Sequence, residues 1–160
     1  MNREYADEVN SAIEELKRDG RYSNLKKYIQ HGNVTVFKHC RNVAYLSCII
    51  ADKLHVRVNR KALIKGALLH DYFLYDWHEK NSNHTLHGFY HPRRALINAM
   101  QDYDISDKEA NIILRHMFPL TIVPPNHREA WIVCMADKIC ATGETFENIK
   151  LISRVKFLFS

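Results

Sequence analysis

Apolar residues recur every three to four positions along most of the chain, a spacing that lines them up on one face of a helix and predicts an all-α fold. Val9, Ile13 and Leu16 make a stripe on a first helix that stops before Gly20, a residue suited to a position just past a helix end. Leu25, Tyr28 and Ile29 mark a short second helix closed by Gly32. Thr35 caps a third, which carries Val36, His39, Val43, Leu46 and Ile50 on one face. Asn59 caps a fourth, running from about Lys61 through Leu63, Ile64, Ala67 and Leu68 to end in His70 and Asp71. Pro92 suits the first turn of a further helix, with His91 at its N-terminal edge and Ala95, Leu96, Ala99 and Met100 on its apolar side. Ser106 and Glu109 spell a capping box, and the helix they open has Ile112, Ile113 and His116 inside. Asn126 and Glu129 suggest a second box, opening a helix through Ala130, Val133, Cys134, Asp137 and Ala141. No strand signal and no internal repeat stands out against this pattern.

Two stretches escape it. Tyr72 to Tyr90 is polar and aromatic, and holds Asp76, Trp77, His78, Glu79, His84 and His87. It is long for a connection in a compact domain, and such connections are often functional. It could shape a substrate mouth or form a purely structural lid. Leu151 to Ser160 is weakly amphipathic, and could pack on the domain or on another subunit.

Composition narrows the class. The 160 residues suit a single domain spanning 1–160, and a hydrophobic content of 46% with 26% charged residues is that of a globular protein. Only 5 Gly and 4 Pro are present, which favours long helices over a turn-rich β fold. The net charge of +5 favours anionic partners such as phosphorylated metabolites. Its basic residues are dispersed, so no dedicated nucleic-acid surface is indicated. Cys40, Cys48, Cys134 and Cys140 form no C-x-x-C pair and read as reduced core residues. No apolar run approaches a membrane span and the N-terminus lacks a signal-peptide pattern, so a cytoplasmic protein is expected. Nothing in the composition speaks to the oligomeric state.

The candidate chemistry lies where polar residues interrupt apolar faces. His39, His70 with Asp71, His116 and Asp137 each fall on an inward face, and His91 begins a helix. Any one of these histidines reads first as a satisfied core residue. Together they would make an unfavourable core, because buried ionisable groups without partners are costly. Convergence on metal removes the difficulty. Imidazole and carboxylate ligands suit Zn, Mn, Fe or Co. Two carboxylates and four histidines are enough for two ions, with Asp71 placed to bridge them.

The order His39, His70-Asp71, His91, His116, Asp137 resembles the HD-domain superfamily of metal-dependent hydrolases, over residues of about 36 to 141. The resemblance implies a compact multi-helix bundle and an H…HD…D set for one metal, met here by His39, His70, Asp71 and Asp137. It implies a second-metal pair in His91 and His116, although His87, just before His91, could substitute. Arg41 to Val43 and Ala136-Asp137-Lys138 match as flanking residues. The chain departs from the cyclic-dinucleotide branch, since Tyr72-Phe73-Leu74 follows the HD pair and Met117-Phe118-Pro119-Leu120 follows His116. The activity implied is hydrolysis of a phosphomonoester or phosphodiester of a small, nucleotide-like substrate by a metal-activated hydroxide. Asp71 would be the bridging ligand. Lys138 and Arg94 would be the leading cations to offset phosphate charge, ahead of Arg93 and Arg115. Two alternatives stay open: a diiron oxygenase with the same ligand order, and a non-catalytic metal- or ligand-binding module.

Overall fold

The computed structural model describes residues 3–31, 34–76 and 87–145. Within them the helical periodicity is realised as α1 (Arg3–Asp19), α2 (Val36–Lys53), α3 (Arg60–Leu69), α4 (His87–Asp102), α5 (Asp107–Arg115) and α6 (Arg128–Thr145). Helix α2 packs on α3 and α6, α3 on α5, and α5 on both α4 and α6. Helix α1 covers α2 and α3 from the other side, burying Val9, Ile13 and Leu16. The architecture is all-α, and the described helices share one apolar core running from Val9 to Ala136. No described helix is long and apolar enough to cross a membrane.

The caps act as the sequence predicts at three helix starts. Thr35 Oγ1 accepts from Lys38 N at 3.3 Å, and Asn59 Oδ1 accepts from Ala62 N at 3.0 Å. Ser106 and Glu109 satisfy each other's backbone N–H groups in a complete capping box. The predicted box at Asn126 and Glu129 does not form. Glu129 Oε1 instead accepts from Asn59 N at 2.7 Å and faces Lys108 Nζ at 3.3 Å, so this carboxylate ties the start of α6 to α3 and α5.

Two other expectations are corrected. The segment predicted as a second helix is a 3-10 turn, Tyr22–Lys27, and Ile29 lies in a strand. Strands β1 (Ile29–His31) and β2 (Val34–Thr35) pair antiparallel, and Tyr28 O accepts from Val36 N at 2.9 Å to join the hairpin to α2. The β-branched residues Ile29, Val34 and Thr35, with Gly32-Asn33 between, are hairpin composition that the helical template hides. Helix α4 begins at His87, earlier than Pro92 suggests. Pro92 therefore sits inside the helix, past its first turn, and leaves Gly88 O without the N–H that would otherwise bond it. Of the long connection predicted over Tyr72 to Tyr90, residues 87–90 belong to α4, while residues 77–86, like the tail over 151–160, lie outside the described residues.

Helix α3 must come close to α5 for its C-terminal end to meet the end of α5. Gly66 permits this: a Cβ there would lie 2.5 Å from Ile112 Cδ1 and 3.0 Å from Ile112 Cβ. Gly66→Ala is expected to destabilise the protein by about 1–3 kcal/mol through overpacking, despite alanine's better helix propensity. Denaturant titration checks this, and a stabilised variant would contradict the packing.

The turn after α3 is clamped by α4. Asn98 Nδ2 donates to Tyr72 O at 3.0 Å and to Phe73 O at 2.9 Å. Tyr72 Oη donates to Asp102 Oδ2 at 2.6 Å, and Arg21 Nε and Nη2 grip the same carboxylate at 2.8 and 2.9 Å. Burial opposes ionisation of Asp102, but Arg21 and Tyr72 outweigh it and hold its pKa below the usual value. A depressed carboxylate adds stability at pH values above the unfolded aspartate range, near 4, and loses it as pH falls through the folded pKa. Asp102→Asn is therefore expected to cost about 1 kcal/mol at pH 7, discounted because half of Arg21 is exposed. The difference from wild type should shrink below about pH 4, as measured by denaturation at two pH values.

Candidate metal centre

Helix α3 ends at Leu69, with His70 as its C-cap and Asp71 immediately beyond. Helix α5 ends in the same way, with His116 as C-cap. Helix α2 presents His39 from its first turns, α4 presents His91, and α6 presents Asp137 from its middle. All six residues are buried, none more than 8% exposed. The structure thus brings together every residue proposed as a ligand, on five elements far apart in sequence.

Asp71 lies at the centre. Its Oδ2 is 3.4 Å from His70 Nε2 and 3.8 Å from His39 Nε2. Its Oδ1 is 3.1 Å from His91 Nε2 and 3.4 Å from His116 Nε2. Asp137 Oδ1 is 3.1 Å from His39 Nε2 and 3.6 Å from His70 Nε2. Ligand atoms about 2.0–2.2 Å from one ion sit about 3.0–3.5 Å from each other, so these spacings are those of a coordination shell. Three overlapping groups each bring one ligand atom per residue within 4.8 Å of the others: His39, His70 and Asp71; His70, His116 and Asp137; Asp71, His91 and His116.

Hydrogen bonding on the far side of the rings settles which nitrogen faces inward. His70 Nδ1–H donates to Ala67 O at 2.7 Å, and His116 Nδ1–H donates to Ile113 O at 2.8 Å. A carbonyl only accepts, so these Nδ1 atoms carry the proton and each Nε2 is left to meet the site. His39 Nδ1–H donates to Glu144 Oε2 at 2.7 Å, with the same result. His91 Nε2 and His116 Nε2 are 2.8 Å apart, a distance that needs a proton on one nitrogen or a cation between the two.

The charges agree. Burial opposes protonation of His39, but Asp137 and Glu144 overcome it and lift its pKa to about 10. Burial likewise opposes protonation of His70, and Asp71 and Asp137 raise it well above the usual value. Burial disfavours the Asp71 carboxylate, yet His70, His116 and His91 hold its pKa well below the carboxylate range. Asp137 is held low against its burial by His39 and His70. His116 is pushed down, chiefly by burial. These carboxylates are ionised and draw positive charge to the point where the nitrogens converge. Two buried atoms there, His70 Nε2 and Asp71 Oδ1, have no partner in hydrogen-bond geometry. Lone pairs aimed at a shared point instead of at each other fit a divalent metal, as does the mixed imidazole and carboxylate donor set.

A comparison with known protein families matches residues 36–142 to the HD domain. The chain belongs to the HD domain family. That span includes all six clustered residues, and the superfamily consists mostly of metal-dependent hydrolases. No curated protein and no solved structure matched the chain. Divalent metal binding by this HD domain therefore rests on the family and on the clustered side chains together.

The two cations singled out in the sequence sit differently. Lys138 Nζ donates to His116 O at 2.9 Å and approaches Cys134 O and Sγ at 3.4 and 3.2 Å, so its ammonium is already engaged beside the site. Arg94 is exposed on α4, three residues beyond His91, and its charge reaches Tyr75. Arg93 is exposed, and Arg115 is partly buried with its Nε lacking a partner. His87 opens α4. Sequence reasoning missed two contributors to the HD-domain site. Gln30, on β1, donates from Nε2 to Asp71 Oδ2 at 2.6 Å, and no helical pattern could have exposed it. Glu144 lies seven residues after Asp137, two turns along the same helix face, and that spacing was a readable signal.

Proposed function

We propose that this HD domain is a metal-dependent phosphohydrolase that cleaves a phosphomonoester or phosphodiester of a small, nucleotide-like substrate at a site for two divalent ions. The observation that carries the reading is Asp71: its two oxygens face two different sets of nitrogens, Oδ2 toward His39 and His70, and Oδ1 toward His91 and His116. His39, His70, Asp71 and Asp137 would hold one ion, and Asp71, His91 and His116 the other. Bound there, divalent ions supply Lewis-acid polarisation of a phosphoryl oxygen and ionisation of water near neutral pH.

The chain's own residues do the rest. The Nδ1 contacts to Ala67 O, Ile113 O and Glu144 fix the rings before substrate arrives, so little reorganisation is needed during reaction. The buried walls, Phe73 beside His91 among them, exclude bulk water and strengthen the charge interactions inside. Arg94 on the exposed side of α4 is the better placed of the two cations to meet a phosphate. Lys138 acts by steadying the His116 carbonyl. The formal net charge of +5 suits an anionic substrate.

The test is metal analysis of the purified protein followed by a panel of phosphomonoesters and phosphodiesters, assayed after reloading with Mn, Co, Zn or Fe. Phosphate release that depends on metal and is abolished by chelation is the expected result. Iron with a mixed-valence signal and oxygen consumption, without phosphate release, would move the protein to the oxygenase reading. Metal binding with neither activity would leave a binding module.

A further inference from the structure

The imidazoles of the centre are not supported alike. His70 and His116 lean on main-chain carbonyls of their own helices. His39 leans on a carboxylate: Glu144 Oε2 at 2.7 Å from its Nδ1. Glu144 is only 5% exposed, and its other oxygen accepts from Asn42 Nδ2 at 3.3 Å. The two helices that supply His39 and Asp137 therefore also supply the groups behind His39, with Asn42 on α2 and Glu144 on α6. A buried carboxylate on Nδ1 increases the electron density at Nε2, where a metal would bind, and holds the ring in place.

This makes the site lopsided in charge. On one side stand Asp71 Oδ2 and Asp137 Oδ1 with His39 and His70, backed by Glu144. On the other stand Asp71 Oδ1, His91 and His116. Gln30, donating to Asp71 Oδ2, steadies the first side as well. A cation is held most tightly where negative charge is densest and least solvated.

We propose that Glu144 is a positioning residue that makes the His39–His70–Asp71–Asp137 side the high-affinity half of the centre, so that the two halves fill in order and the His91–His116 half exchanges its ion with the medium. The order of filling rests on the two-ion reading above; the action of Glu144 on His39 does not. On this view the first ion is a resident part of the protein. Occupancy of the second follows the surrounding metal concentration and sets the fraction of molecules that are fully loaded.

The test uses the full chain, stripped with a chelator and titrated with Mn²⁺ or Co²⁺ in competition with a chromophoric chelator. Wild type is expected to take up metal in two steps separated by about tenfold or more in affinity, the range over which outer partners act. Glu144→Gln keeps an acceptor for the His39 Nδ1–H but removes the charge. It is expected to weaken the first step by about 10–100-fold and leave the second within about twofold. A merely structural role would weaken both steps and lower the melting temperature alike. Asn42→Ala, which frees one Glu144 oxygen without touching His39, should give a smaller loss at the same step, and it carries the test if Glu144→Gln does not fold. An unchanged first step in both variants overturns the role of Glu144, and two equal steps in wild type overturn the order of filling. Uptake of a single ion by wild type would refute the two-ion reading, and the effect of Glu144→Gln on that ion would still decide the role of Glu144.

Discussion

Asp71→Ala is expected to empty both sides of the centre at once. Asp71 reaches both sets of nitrogens through separate atoms, Oδ2 meeting His39 and His70 while Oδ1 meets His91 and His116. Removing it deletes a ligand from each side and takes away the carboxylate that lies 3.4 Å from His70 Nε2. Metal content should fall toward zero after desalting, and metal-dependent turnover by about 10³-fold or more, equivalent to about 4 kcal/mol of lost transition-state stabilisation. Helical content by circular dichroism should stay close to wild type, because Asp71 lies beyond the last residue of α3 and the core packing of Leu68 and Leu69 does not depend on it. Gln30 loses its acceptor in the variant, at a cost of about 1 kcal/mol. A purified variant that keeps full metal and turnover would show that Asp71 is not a ligand.

His116→Ala should separate the two sides. The two-ion reading sets His116 with Asp71 Oδ1 and His91, although it also lies within reach of His70 and Asp137, and its ring is 4.9 Å between centroids from both His70 and His91. Its loss should reduce the stoichiometry from two ions to one while the His39, His70, Asp71 and Asp137 set keeps its own. Turnover should fall by about 10²–10³-fold, whereas the melting temperature should fall only by the few degrees that a buried truncation entails. His91→Ala should give the same metal count. Elemental analysis with a thermal melt decides the matter. Two ions retained in both variants would exclude these histidines from the coordination shell, and one ion in wild type would leave a one-metal hydrolase.

Much of the architecture was readable because helices advertise themselves twice, by apolar period and by caps. Val9, Ile13 and Leu16, the Thr35 and Asn59 caps and the Ser106–Glu109 box all appear in the structure in the roles their spacing implied. The hairpin was lost because five residues of strand around Gly32-Asn33 are too short to register against long helical runs. Glu129 was misread for a different reason: a residue at the right offset for a local cap was claimed by distant donors, Asn59 and Lys108, which only the tertiary fold brings near. The convergence of His39, His70, Asp71, His91, His116 and Asp137 could be anticipated because each is an anomaly on its own apolar face. Gln30 was not an anomaly where it stood, and its approach to Asp71 exists only once the hairpin packs against α2 and α6.

The ends of α3 and α5 have an effect that no side-chain substitution removes. Both helices stop at the centre, with His70 and His116 as their C-caps. A helix's aligned peptide dipoles leave partial negative charge at its C-terminus, so two such ends place it beside the same buried point, part of it at α5 met by the Lys138 ammonium on His116 O. That background field is supplied by the backbone and does not require burying another carboxylate. It favours cations before any ligand bond forms, and it persists in every ligand variant. The fold itself thus gives the pocket a preference for positive charge at the point where the six side chains converge.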